Sequence, residues 1–244
     1  MSVMHNAEEN GPASLPRLDR ERAILGNEVA DTLRKEITFG RLQAGSKITE
    51  EWVSREVGVS RGPVREAFRA LANEGLVVLN AYKGATVADV TLQELQNVLI
   101  PVRVVLEREA ALRAIETTTS AQGFADLDEL VQGMFANAAG EWNEEATRAV
   151  IELDVRFHER LTAMGEQYHT LQLWRSIESR IRVAFTRLAP HHRSLTEIAQ
   201  EHADLLAALR TKDPETVVLE LERHIQSSVI ELIERAEHDA SGRK

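Results

Sequence analysis

Three histidines and an aspartate stand where they could share one cation. Asp154 and His158 are four residues apart, so on a helix they project from one face, in line with Ile151, Val155 and Leu161. His202 shares a stripe with Leu205, Leu206 and Leu209, and His224 follows Leu221 by three and lies beside the Ile225 and Val229 face. All four therefore point into an apolar interior, where an unpaired polar group costs on the order of 1–3 kcal/mol. Taken singly, each imidazole reads as a core histidine satisfied by a neighbour. Taken together, Asp154, His158, His202 and His224 form an N3O set that suits zinc, nickel, iron or manganese, with positions left for water or a ligand oxygen. His169, His191 and His192 read as loop or exposed residues and fall outside the set.

A second group offers different chemistry. Arg61, Arg65 and Arg69 recur every four residues, while Val64, Ala67, Phe68 and Leu71 keep the i, i+3, i+4, i+7 spacing of a buried stripe. Ser60 suits an N-cap, Pro63 falls in the first turn where its missing N–H costs little, and Gly75 is a natural stop after Asn73-Glu74. The result is a short helix that packs by one face and presents guanidinium groups on another, of a size to lie in a DNA major groove. Charged helix faces are most often merely solvated. The flanking segments decide the matter.

Val29, Leu33 and Ile37 mark an upstream helix stopped by Gly40, and Val53 to Val57 form a short helix before the Gly58 turn. Downstream, Leu76–Leu79 and Ala85–Ala88 flank Asn80–Gly84 as a β-hairpin with a basic tip. Three helices and a hairpin make a helix-turn-helix with a wing, in which one element reads base edges and another contacts backbone or minor groove. Beyond residue 90 the chain reads as helices throughout. Thr91 with Glu94 and Ser194 with Glu197 make capping boxes, Pro101 can open a helix, and Asp213-Pro214 starts the last one. Periodic segments at about 101–117, 121–138, 144–164, 168–188, 195–211 and 214–238 predict an antiparallel helical bundle.

The fold class expected is thus mainly α, a winged helix-turn-helix over 17–90 followed by an all-α bundle over 91–238, with tails at 1–16 and 239–244. The 244 residues contain no cysteine, which excludes disulfides and thiolate catalysis. The first fifteen residues lack the basic and apolar parts of a signal peptide, and no stretch approaches a membrane span, so a cytoplasmic protein is expected. The net charge of −10 is unevenly spread: residues 16–89 carry 12 Lys and Arg against 11 Asp and Glu, whereas the chain from 90 onward carries 17 against 26. A near-neutral reader tied to an acidic bundle should bind DNA specifically rather than coat it.

Residues 23–88 resemble the winged helix-turn-helix of the GntR family. The resemblance is carried by Ala30-Asp31-Thr32-Leu33-Arg34 with Ile37 and Gly40, the Leu42-to-Gly45 turn, Gly58 to Ala67, Glu74-Gly75-Leu76 and Lys83-Gly84. It implies that Ser60, Arg61 and Arg65 contact operator DNA, with Lys83 and Gly84 at the wing tip. Family members often have a basic residue near the start of the second helix, where this chain has Glu50 and Glu51. The bundle resembles the FCD-type, metal-containing ligand-binding domain of the FadR subfamily. Asp154, His158, His202 and His224 fall on that pattern, which implies one divalent metal ion per subunit, zinc first among the candidates. After the Asp-x3-His helix, where many members have a small residue followed by Asn, this chain has Gly165-Glu166-Gln167-Tyr168.

The resemblance also implies an effector, a small organic acid whose carboxylate uses the metal and a nearby arginine. Arg103 stands at that place, with an i, i+4 ion pair to Glu107 as its alternative use, and Arg180 and Arg182 are further candidates. The function expected is a transcriptional repressor, not an enzyme, that binds a palindromic operator as a homodimer and is released by the acid. Two other readings remain: a regulator for which the metal itself is the signal, and a metal-dependent hydrolase or lyase on a helical bundle. The second lacks a placed general base and leaves the winged segment unexplained.

Overall fold

The computed structural model of the chain describes residues 20–81, 84–118, 121–140, 142–192 and 194–241. The reader unit comprises α1 (Arg20–Thr38), β1 (Lys47–Ile48), α2 (Glu50–Val57), α3 (Arg61–Asn73), β2 (Val77–Asn80) and β3 (Gly84–Val87). Helix α3 buries Pro63, Val64, Ala67, Phe68 and Leu71, so the predicted stripe is the one that packs. These side chains share a core with Val29, Leu33 and Ile37 of α1, Val53 of α2 and Val77, Ala85 and Val87 of the sheet. Helix α2 begins at Glu50, earlier than Val53, because Thr49 caps it by accepting from the Trp52 amide at 3.1 Å.

The hairpin is present, with its strands one residue away from the expected bounds. A third strand, β1, had no periodic signal and joins it in the order β1-β3-β2, all antiparallel. This third strand explains Gly84. At φ +90 its Cβ would lie 2.2 Å from the Ile48 carbonyl oxygen, so both backbone conformation and space require glycine. Gly84→Ala should therefore destabilise the reader unit by roughly 1–3 kcal/mol or more, read as a lower urea midpoint with the bundle unaffected. Lys83 lies outside the described residues.

The bundle begins with α4 (Leu92–Glu94), which continues through a π turn (Leu95–Leu99) into α5 (Ile100–Thr117). Thr91 caps the start, accepting from the Glu94 amide at 3.0 Å. Pro101 stands in the first turn of α5, as expected, although the helical run itself begins earlier, at Leu92, and passes through the π turn. Next come α6 (Ala125–Ala138), α7 (Glu144–Met164), α8 (Tyr168–Leu188) and α9 (Leu195–Thr211). The expected last helix is α10 (Pro214–Glu222), a second π turn (Arg223–Ser227) and α11 (Ser228–Ser241), so helix persists past residue 238.

Caps at Asn143, Ser194 and Asp213 set the starts of α7, α9 and α10. One large core joins Leu127 and Met134 of α6, Phe157 and Leu161 of α7, Ile181 of α8, Leu205 and Leu209 of α9 and Leu221 of α10. At the end of α7, a Cβ on Gly165 would stand 2.8 Å from the Ala110 Cα. That close approach draws α5 against α7, which brings the polar residues of the two helices together. Among the described residues no helix is long and apolar enough to cross a membrane.

The two units touch. Glu74, at the C-cap of α3, accepts from Arg34 Nε and Nη2 at 2.7 and 2.6 Å, and from the Ser179 hydroxyl of α8 at 2.8 Å. Arg187, also on α8, donates to the Val90 carbonyl at 3.1 Å.

Candidate metal centre and nucleic-acid interface

Asp154 and His158 project inward from α7, His202 from α9, and His224 from the π turn that joins α10 to α11. The π turn lets His224 and its neighbour Ile225 both face inward. All four side chains are buried. The Nε2 atoms of His202 and His224 lie 3.2 and 3.0 Å from the Nε2 of His158. Asp154 flanks this group, with Oδ1 at 3.9 Å from His158 Nε2 and Oδ2 at 3.8 Å from His202 Nε2.

Hydrogen bonds at the far side of two rings fix which nitrogens face one another. The His158 Nδ1 lies 2.6 Å from Glu107 Oε2, and the His202 Nδ1 lies 2.8 Å from the Ile198 carbonyl oxygen. Both acceptors require N–H at Nδ1, which leaves both Nε2 atoms with bare lone pairs. Burial drives the His202 imidazole down to about 4, against the pull of Asp154, and pushes His224 well below its usual value, with His202 and His158 acting the same way. His202 and His224 are thus held as neutral bases, and the Nε2 atoms of all three rings converge on one point. Lone pairs 3.2 Å apart repel, and a cation between them with a carboxylate at the side removes the repulsion, so the donor set fits a divalent ion.

Glu107 is the residue that sequence reasoning undervalued. It is fully buried on α5 and accepts from Arg103 Nε at 2.6 Å and Trp174 Nε1 at 2.8 Å, besides His158. Burial alone would raise its carboxyl, but Arg103 and then His158 outweigh that and hold it at about 2. Its pairing with Arg103 was legible as i, i+4; its contact with a histidine 51 residues away was not. Arg103 makes the ion pair with Glu107 that was its alternative use. Its Nε is bonded to Glu107, its guanidinium lies 5.3 Å from the Phe185 ring centroid, and it lines a small cavity with Asp154, His202 and His224.

That cavity holds about 30 Å³ of space, room for an ion and a few small groups. His192, expected in a loop or exposed, also lines it, and its buried Nδ1 makes no hydrogen bond among the described residues, with Glu197 Oε2 3.6 Å away. Arg180 and Arg182 do not line the cavity. Arg180 packs on Gly75, and Arg182 pairs with Glu152 and Glu178 at the cleft between the units.

On the reader unit, Ser60 occupies the N-cap of α3 but its side chain makes no capping bond, which differs from expectation and leaves the hydroxyl at an exposed corner. Arg61, Arg65 and Arg69 are all exposed along the outer face of α3. Arg65 Nε lies 2.8 Å from Glu50 Oε2, Arg61 Nη2 lies 3.5 Å from Glu51 Oε2, and Arg69 pairs with Glu66 at 3.1 Å.

Comparison with known proteins agrees with both units. The profile of bacterial regulatory proteins of the gntR family matches residues 25–87, and that of the FCD domain matches residues 98–227. The chain is 27% identical over 208 residues to the gluconate operon transcriptional repressor of Bacillus subtilis, covering 83% of each chain. It is 26% identical to the HTH-type transcriptional repressor RspR of Escherichia coli, covering 83% of this chain and 86% of that one. It is 30% identical to the HTH-type transcriptional regulator BphR of Paraburkholderia xenovorans, covering 81% and 80%. Among solved structures, E. coli McbR/YncC has the same fold, with a TM-score of 0.69 at 22% identity over 87% of this chain and 98% of that one. These relatives are transcription regulators rather than enzymes. The chain belongs to the GntR family of bacterial DNA-binding transcription regulators, and its helical unit is an FCD domain.

Proposed function

We propose that this repressor binds a palindromic operator as a homodimer in the cytoplasm and is released by a small organic acid held at a divalent metal in the helical unit. The observation that carries this reading is the convergence of three Nε2 atoms from three separate elements on a cavity that Arg103 also lines. His158, His202 and His224 would hold the metal with Asp154 beside them, zinc being the first candidate and nickel, iron or manganese the others. The metal supplies Lewis acidity toward a carboxylate oxygen when bound. Arg103 orients the acid: Glu107 holds its Nε, and its two terminal nitrogens, with no hydrogen bond among the described residues, remain for the ligand.

Ser60, Arg61 and Arg65 would contact the operator from α3, since all three are exposed at one end and one face of that helix. Val98, Val102 and Val105 form an exposed apolar stripe where the first bundle helix faces outward, a surface suited to pairing with a second copy. Native mass spectrometry of the purified protein tests the reading in one measurement. A dimer with one divalent ion per subunit and a co-purified acid is the expected result. A metal-free monomer would overturn it, and operator affinity that no bound acid alters would overturn the effector part.

Glu107→Gln checks the support behind the metal. It keeps shape but weakens the acceptor for His158 Nδ1–H, and losing such an outer partner typically costs 10- to 100-fold in metal affinity. A fall of that size is expected in a zinc titration. Trp174→Phe, which removes a different donor to the same carboxylate, should change zinc affinity far less.

A further inference from the structure

The two acidic residues that open α2 face the two arginines nearest the start of α3. Both oxygens of Glu50 approach Arg65 Nε, at 2.9 and 2.8 Å, and Glu51 Oε2 stands 3.5 Å from Arg61 Nη2. The guanidinium groups of the reading face are therefore already paired with anions in the protein alone. These pairs lie at the surface, with Arg65 56% and Arg61 59% exposed, so water makes them weak and exchangeable. Their backbone frame is not exchangeable, because Val53 of α2 and Val64 of α3 share the buried core of the unit.

A carboxylate and a phosphate offer a guanidinium group equivalent pairs of anionic oxygens. If a DNA phosphate takes Arg65 or Arg61, it replaces an anion that was already there and leaves a carboxylate facing the DNA backbone. A guanine edge differs, since its O6 and N7 are neutral and accept from the two ends of the fork. Glu50 engages only Nε, so Arg65 can keep that pair and still present Nη1 and Nη2 to a base.

We propose that Glu50 and Glu51 are specificity-determining residues, internal stand-ins for phosphate that suppress sequence-independent DNA binding, with Glu50 also positioning Arg65 for a base edge. The proposal rests on the reading of Arg61 and Arg65 as DNA contacts. It accounts for the near balance of charge over residues 16–89, 12 basic against 11 acidic, in a unit that binds a polyanion.

The test uses the full chain, a 20-base-pair duplex of random sequence, and an operator duplex recovered by in vitro selection with the wild type, each titrated at several salt concentrations. Glu50→Gln with Glu51→Gln should bind the random duplex about 10-fold or more tightly at low salt. The slope of log K against log salt should steepen by about 0.9 for each arginine released to phosphate, roughly 2 in all, and the operator-to-random ratio should fall. Glu51→Gln alone, at the more exposed position, should give about half the change in slope. Arg61→Ala with Arg65→Ala runs in parallel. Should that variant lose operator binding while the glutamine variant matches wild type in affinity and slope, the carboxylate proposal fails and the contact reading stands. If the arginine variant binds operator as wild type does, the contact reading fails, and the proposal fails with it even where the glutamines tighten binding, because the carboxylates would then act without the arginines.

Discussion

Arg61→Ala combined with Arg65→Ala should erase discrimination between operator and random DNA while leaving the fold and the metal content unchanged. Each bidentate arginine contact to guanine is worth roughly 1–3 kcal/mol of discrimination, so the pair accounts for about 2–6 kcal/mol, a loss of roughly 30-fold to more than 10⁴-fold in the operator-to-random ratio. Stability should fall by less than about 1 kcal/mol per site, because both side chains are exposed and their ion pairs with Glu50 and Glu51 are surface pairs. Fluorescence anisotropy on the two duplexes measures the first effect and urea unfolding the second. An unchanged ratio would remove Arg61 and Arg65 from the reading face.

His202→Ala has the other large expected effect, in the helical unit. It removes one of three converging nitrogens, so the purified variant should lack the ion, and added zinc should no longer raise its melting temperature. For the wild type, an ion at 1,000 times its dissociation constant stabilises by about 4 kcal/mol, on the order of 10 °C for a chain of this size. Calorimetry with and without chelator reads both.

Acid should expose the same site. In the chelated wild type, His202 and its unfolded counterpart are both neutral above pH 6.5. Between 6.5 and about 4 the unfolded chain takes up a proton that the folded site refuses, so stability falls as pH falls, on the order of 3 kcal/mol from His202 alone. A chelated protein whose stability stays flat from pH 7 to pH 5 would mean that these imidazoles are not the buried neutral bases described.

How much of this could be seen in the residues depended on the kind of signal each element carries. Helices α7, α8 and α9 have long apolar stripes and polar links at their ends, and their observed limits fall at the predicted positions. The stripe and arginine face of α3 were legible for the same reason. Strand β1 has two residues, too few for any period, and exists because β3 offers it an edge. The π turns left no compositional mark either, although one of them carries His224 and the other precedes Arg103. For the buried site, helical spacing foretold which side chains point inward, but not which inward groups meet. That is why Glu107 is visible in the sequence only as a partner of Arg103, and why His192, at the end of a short turn between α8 and α9, carries no helical period that would point it inward.

Glu74 gives the joint between the two units a mechanical meaning. It ends the reading helix and is bonded to Ser179; five residues earlier on the same helix, roughly 7.5 Å of axial rise, Trp174 is bonded to the carboxylate behind His158. Helix α8 is thus a short lever whose arms end at the buried cluster and at the reading head. A push on either end would be carried by the same stretch of helix, and α8 also grips the covalent link between the units through the Arg187 bond to the Val90 carbonyl.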